Sequence, residues 1–297
     1  MVREESTTND AHFEPWAWIA DQVGTPTARE ACQTPLAPNR VWRLRFGTRP
    51  SLFVKVFSSR AKCRQERDAL KRWAPALRRE DLSTPEIVAA EPEERALLLS
   101  GLPGVSASAA AGSEHDAARW HHRMAAACRT LHELPLEETD LDPLPLARAI
   151  PERLASWLRR AGDRLSTAER ETARRLVGDG SLFEGDSRVP CHRDFQPRNW
   201  LIDRRHEGSE TYGLIDFEHA RPDHPLVDFV RVAERATPGI FEAFLDGYGI
   251  DRASIDGKLR AISAIHAIGR VVWGDEHGDA EFSAEGHRLL ERLHSEP

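Results

Sequence analysis

The chain has 297 residues, 40% hydrophobic and 30% charged, with a formal net charge of −7. That suits two ordinary domains or one two-lobed enzyme, and it argues against nucleic acid as a main partner, because phosphate backbones call for a basic face. No apolar run approaches the ~20 residues of a membrane helix, and the acidic start Met1-Val2-Arg3-Glu4-Glu5 lacks the apolar core of a secretory signal, so no membrane partner and a cytoplasmic location are expected.

In chain order, a helix is expected from Asp10 to about Val23, with Phe13, Trp16, Ile19 and Ala20 on one face. A Pro/Thr-rich stretch follows from Gly24 to Pro38. Trp42, Leu44 and Phe46 then alternate with Arg43 and Arg45, the pattern of a half-buried strand. The turn Gly47-Thr48-Arg49-Pro50 leads into a second strand, Leu52-Phe53-Val54-Lys55-Val56-Phe57. Ala61 to Trp73 reads as helix, and 86–90 with 96–99 as another hairpin around the polar Glu91-Pro92-Glu93-Glu94. Together these imply an antiparallel sheet of about five strands with one helix, ending near residue 100. Ser100-Gly101-Leu102-Pro103-Gly104 has the composition of a hinge.

Beyond it, helices are expected over 113–134, 144–161, 166–177, 225–237, 238–247, 253–273 and 280–294, interrupted only by strands around Asp194 to Asp216. The layout is α+β: a small antiparallel β-sheet lobe over 1–100, a hinge at 101–104 and a large, mainly helical lobe over 105–297. Cys32, Cys63, Cys128 and Cys191 are scattered with no CxxC pair, so free thiols are expected rather than a zinc site or disulfides.

The most informative stretch is Cys191-His192-Arg193-Asp194-Phe195-Gln196-Pro197-Arg198-Asn199-Trp200-Leu201-Ile202-Asp203, followed by Leu214-Ile215-Asp216-Phe217-Glu218. It reads as H-R-D-x-x-x-x-N on a loop, then an apolar strand ending in Asp-Phe. That is the residue set for moving a phosphoryl group from a nucleoside triphosphate to a hydroxyl. One Asp accepts or orients the hydroxyl proton, while an Asn five residues on and a second Asp hold metal ions on the triphosphate. Turn capping explains each residue singly but not their order.

At this motif the chain resembles the aminoglycoside-phosphotransferase-like (APH-like) family of kinases, relatives of the eukaryotic protein kinases. The resemblance implies a bilobal protein-kinase-like fold. It makes Asp194 the catalytic base, Asn199 and Asp216 the Mg²⁺ ligands, and His192 and Asp228 the scaffold of the catalytic loop. Only four of the 41 basic residues are Lys. One of them, Lys55 in Phe53-Val54-Lys55-Val56-Phe57, resembles the V-A-I-K strand of kinases and is the expected phosphate anchor. Glu66 on the following helix is its expected partner, with Asp68 as competitor. Leu99, Ser100 and Leu102 are expected to line the adenine pocket.

The chain also departs from the pattern. Where protein kinases carry a glycine-rich loop, it has Thr34-Pro35-Leu36-Ala37-Pro38-Asn39-Arg40-Val41-Trp42 with no glycine, and Asn39 and Arg40 are the candidates to stand in at the phosphates. Arg193 replaces the glycine of the antibiotic kinases' His-Gly-Asp, and Gln196 stands where protein kinases place a Lys. Gln196 and Arg198 are candidate phosphate or acceptor contacts, and Arg198 suggests an acceptor with a carbonyl or anionic group near its hydroxyl. Asp275, Glu276, Asp279 and Glu281 pull the other way, toward ammonium groups, unless they form a plain solvated helix start. His121, His122 and His132 lack a metal spacing and read as surface or packing residues.

The leading reading is an Mg²⁺-dependent O-phosphotransferase that moves the γ-phosphoryl group of ATP or GTP to a small-molecule hydroxyl, an antibiotic or a sugar. A second is a kinase of Ser or Thr hydroxyls in a ribosomal peptide precursor. No A-P-E motif follows Asp216, which argues against an ordinary protein kinase. The third is a non-catalytic pseudokinase, which the missing glycines favour and the intact Lys55, Asp194, Asn199 and Asp216 oppose.

Overall fold

A computed structural model describes residues 13–32, 39–91, 93, 95–140, 142–206 and 209–295. The expectations for Asp10 to His12 and for Thr34 to Pro38 lie outside these residues. The first described element is helix α1 (Trp16–Val23). Next come strands β1 (Ala28–Ala31), β2 (Arg40–Phe46) and β3 (Arg49–Val56), helices α2 (Arg60–Arg72) and α3 (Ala74–Leu77), and strands β4 (Leu82–Ser83), β5 (Ile87–Glu91) and β6 (Ala96–Ser100). Five of these strands form an antiparallel sheet in the order β1-β2-β3-β6-β5.

Period-2 patterning sets which side of each strand is buried. Leu44, Val54, Val56 and Leu98 face Ile19 of α1 in one small core, while Phe57, Leu97 and Leu99 join the main core. β1 falls inside the Pro/Thr-rich stretch from Gly24 to Pro38, where the sequence pattern marks no strand. It carries no apolar alternation, and backbone pairing such as Ala31 against Trp42 holds it at the sheet edge. Composition is silent about a strand of that kind.

The rest of the chain is mainly helical. Strand β7 (Val105–Ser106) and helices α4 (Glu114–His132), α5 (Leu146–Ala161) and α6 (Thr167–Val177) precede strands β8 (Val189–Cys191), β9 (Trp200–His206), β10 (Ser209–Leu214) and β11 (Arg221–Asp223). Helices α7 (Val230–Arg235), α8 (Pro238–Tyr248), α9 (Arg252–His277) and α10 (Ala280–Ser295) complete it. Ser113 with Asp116 and Ser166 with Glu169 form capping boxes that start α4 and α6. Helix α9 is apolar on most of its circumference and runs through the core. Among the described residues no helix is long and apolar enough to cross a membrane, and all four cysteines are free.

One expected helix divides. The span 225–237 is a 3-10 turn over Pro225–Asp228 followed by the short α7. Pro238 forces the preceding Thr237 out of helical geometry, and Thr237 instead caps α8. At the other end, the Asp228 carboxylate is drawn into the loop after β8.

Candidate active site

The loop after β8 is built around that carboxylate. Asp228 is buried and accepts from the backbone N–H of His192 (2.8 Å) and of Arg193. His132, from α4, contacts it through Nε2 at 3.0 Å. These contacts hold Arg193 at φ 64°, a backbone state that a side chain disfavours. His192 is fully buried, its Nε2 lies 3.0 Å from the Ile215 carbonyl, and its ring packs on Phe217. Burial pushes its imidazole below the ordinary range, so it stays neutral. His132 is therefore an interior scaffold residue with no surface role. Cys128, His132 and Asp228 lie close enough to hold a metal ion, a spacing the sequence did not reveal, but the aspartate oxygens are already engaged by backbone donors.

Asp194 follows on this turn. Gln196 Nε2 donates to one carboxylate oxygen, and Arg198 Nη2 and Asn199 Nδ2 donate to the other at 2.8 Å each. Burial pushes the carboxyl up, but Arg198 and Arg231 outweigh it and hold it at about 2. Asp194 is thus ionised throughout the neutral range. The β9–β10 hairpin then returns the chain so that Ile215 N–H donates to the Asn199 carbonyl. Asp216 follows at φ 71°.

Lys55 crosses from the sheet to meet this strand end. Its Nζ lies 2.7 Å from Glu66, 2.5 Å from Asp216 and 2.9 Å from Glu218. Burial lowers the ammonium's pKa, yet the three carboxylates together raise it well above its usual range. Burial also keeps the Glu66 carboxyl above the normal carboxylate range, which fits three acids around one cation. Asp68 pairs with Arg67 on the surface instead. Asn39 donates to Glu218 through Nδ2 and accepts from Ser58 N–H at 2.9 Å, which ties the residue after the loop to the Lys55 cluster.

A cavity of about 2080 Å³ opens between the sheet and the helices. Asn39, Lys55 and Glu66 line it from the sheet side, with Leu99, Ser100 and Leu102. Asp194, Arg198, Asn199 and Asp216 line it from the other. His192, Gln196 and Asp228 sit beneath it and are buried. At the strand end, Ser100 and Gly101 donate their backbone N–H groups to Glu86 and Ser51. The Leu102 backbone makes no hydrogen bond among the described residues, so it is open to a planar base.

The donor set fits magnesium. Asn199 donates through Nδ2, which leaves its amide oxygen without a partner among the described residues. Asp216 has one oxygen on Lys55 and the other uncommitted among those residues. Hard oxygens from two side chains suffice for Mg²⁺, which retains waters and phosphate oxygens.

Sequence reasoning missed Glu218, which stands two residues after Asp216 and could have been noticed as a second acid at the same strand end. It also missed Arg153, Arg231 and Asp223, which no local spacing connects. Of the C-terminal acids, Asp275, Glu276 and Glu281 pair with Arg164, Arg160 and Arg288. Only Asp279 lines the cavity, and its Oδ1 caps the Phe282 N–H at 3.0 Å.

Residues 36–258 match the Phosphotransferase enzyme family, APH. A 92-residue segment is 33% identical to an N-acetylmuramate/N-acetylglucosamine kinase of Caulobacter vibrioides, covering 29% of this chain and 24% of that kinase. The chain thus spans about a quarter of that relative's length. The fold is similar to that of APH(2")-IIia in its GDP and kanamycin complex, with TM-score 0.72, 14% identity and coverage of 93% and 97% of the two chains. It is also similar to the macrolide 2'-phosphotransferase MphH of Brachybacterium faecium, with TM-score 0.67, 17% identity and coverage of 93% and 96%. The match across most of the chain and the shared kinase-like fold lead to one conclusion: this protein belongs to the APH phosphotransferase enzyme family.

Proposed function

We propose that this phosphotransferase moves the γ-phosphoryl group of ATP or GTP to a hydroxyl of a small molecule, with Mg²⁺. The observation that carries this reading is the convergence of Lys55, Asp194, Asn199 and Asp216 on one cavity from two parts of the fold. Lys55, held by Glu66, is placed to contact the donor's phosphates, and the open Leu102 backbone is placed for its base. Asn199 and Asp216 would hold Mg²⁺, which neutralises charge shared between the β- and γ-phosphates.

The acceptor oxygen bonds to the γ-phosphorus as the bond to the β-bridging oxygen breaks, and the nucleoside diphosphate leaves. Asp194 orients the hydroxyl and takes its proton late in the transfer. Gln196 and Arg198 hold the Asp194 carboxylate ionised and aimed. Among the similar proteins are phosphotransferases of aminoglycosides and macrolides and a kinase of N-acetylated sugars, and a sugar or antibiotic hydroxyl is the acceptor class we take for this chain. A complete set of charged residues at the cavity opposes a non-catalytic role.

The test is mass spectrometry of a sugar and antibiotic panel incubated with ATP or GTP and Mg²⁺. A monophosphorylated acceptor with matching nucleoside diphosphate, both lost on adding EDTA, is expected. No metal-dependent nucleotide turnover with any acceptor would sink the reading.

A further inference from the structure

Away from the sheet, the cavity is walled by α5, α7, α9 and α10. Ile262, His266, Gly269 and Trp273 recur every three or four residues and so share one face of α9. Trp157 of α5 and Phe282 of α10 line the same space. Arg231 and Arg270 lie over the Phe282 ring at 5.3 and 5.6 Å, and Trp273 meets that ring edge-on at 5.2 Å. This end of the cavity is flat, apolar and edged with guanidinium groups.

The charges do not balance. Arg198 pairs with Asp194, and Arg270 pairs with Glu234 and Glu285. Arg153 and Arg193 share a single carboxylate, Asp223, at 2.9 and 3.2 Å. Arg231 makes no ion pair and no hydrogen bond among the described residues, its Nε is buried and unsatisfied, and Asp194 and Glu234 act on its charge only through space. Asp279, the acid at this end, is engaged as a helix cap. His266 stays neutral, because burial and the neighbouring arginines hold it well below its usual range. Three arginines, Arg153, Arg193 and Arg231, therefore line this end of the cavity against two aspartates, Asp223 shared by two of them and Asp279 engaged as a helix cap. A half-buried guanidinium whose Nε is shut off from water and unpaired is best satisfied by an oxyanion.

Resting on the phosphotransfer reading above, we propose that this end of the cavity is an anion site for the acceptor. Arg231, backed by Arg153 and Arg193, holds a carboxylate or phosphate group of the hydroxyl-bearing acceptor, whose flat apolar face lies against Trp157 and Trp273. Arg231 and Asp194 line the same cavity, so one acceptor can reach both. Of the C-terminal acids that pull toward ammonium groups, Asp275, Glu276 and Glu281 lie in surface ion pairs and Asp279 caps Phe282.

The test is ligand-observed NMR titration with four fragments of one shape: phenylacetate, phenyl phosphate, 2-phenylethanol and phenethylamine. ADP and Mg²⁺ are added to occupy the donor side. The anions are expected to bind at least about tenfold more tightly than the amine, and the stronger of the two names the oxyanion. Arg231→Met should weaken anion binding by about tenfold, as loss of a charge-assisted hydrogen bond does, and Arg231→Lys should retain most of it. Three results overturn the proposal: an amine that binds as tightly as the anions, no anion binding, or anion binding indifferent to Arg231→Met. Loss of ADP binding in Arg231→Met would also overturn it, by assigning Arg231 to the donor. The wild-type comparison needs no variant to fold. Because no turnover is read, failure here is separate from failure of the phosphotransfer reading, which shows as absent metal-dependent turnover.

Discussion

At the sheet end of the cavity, Glu66, Asp216 and Glu218 converge on the single ammonium of Lys55. At the helical end, Arg153 and Arg193 converge on the single carboxylate of Asp223, with Arg231 unpaired beside them. The first cluster has an excess of anions and the second an excess of cations, and Asp194 lies between them. Neither cluster is balanced by its own residues, as is expected where a cation accompanies one substrate and an anion belongs to the other. Had both been built only for stability, each charge would have found its partner within the fold.

The division can be broken most sharply at its midpoint. Asp194→Asn should lower turnover by ~10²–10⁴-fold, the usual effect of losing a general base, with ATP affinity within about twofold of wild type. A tenfold loss or less, measured as nucleoside diphosphate release, would place the base elsewhere. Next is Lys55→Met, which leaves Glu66 and Glu218 buried without their cation. Denaturant unfolding should show a loss of about 3–5 kcal/mol, the effect of breaking a buried ion pair, and adding Glu66→Gln should restore part of it. Unchanged stability would mean that the carboxylates do not depend on Lys55.

Acid probes the midpoint and the helical end together. Asp194 and Asp223 have folded-state pKa values below their ordinary 3.8. A depressed carboxyl stabilises the fold above its unfolded value, and that contribution is lost as pH falls through the folded value. With Asp194 at about 2, its share is about 2 kcal/mol, lost between pH ~4 and ~2. Unfolding free energies measured across that window should fall, and less steeply in Asp223→Asn; a flat profile would contradict the pairing. The smallest effect is expected at Gly286, where an added Cβ would lie 2.6 Å from the Ala267 carbonyl oxygen and 2.7 Å from Val271 Cγ2. Overpacking outweighs the helix preference of Ala by about 1 kcal/mol. Because α9 and α10 carry Trp273 and Phe282, Gly286→Ala should raise the acceptor KM and leave the nucleotide KM alone. A change in nucleotide KM would show that the two ends are not independent.

The two ends also differ in how far the sequence reveals them. Asp194, Asn199 and Asp216 belong to one loop and the hairpin that follows it, and Lys55 stands in a strand with its partner one helix later. Their spacing is set by local backbone geometry, so it survives as a readable pattern. The main helices and the two sheet hairpins were legible for the same reason, through 3.6- and 2-residue periodicity. Arg153, Arg193, Arg231 and Trp273 come from α5, the loop after β8, α7 and α9. Only the packing of those elements brings them together, and no spacing records it. β1 was hidden because an exposed edge strand needs backbone partners rather than apolar alternation. The break between Asp228 and α7 was hidden because a buried carboxylate, not a helix signal, decides it.

The most direct measurement is a structure of the protein with Mg²⁺ and a non-hydrolysable ATP analogue. The expected result is Mg²⁺ on the Asn199 amide oxygen and the Asp216 carboxylate, Lys55 on the phosphates, and the γ-phosphate facing Asp194, with the space before Arg231 left open. Triphosphate seated against Trp157, Trp273 and Arg231, or metal held away from Asn199 and Asp216, would contradict the division of the cavity into a donor end and an acceptor end.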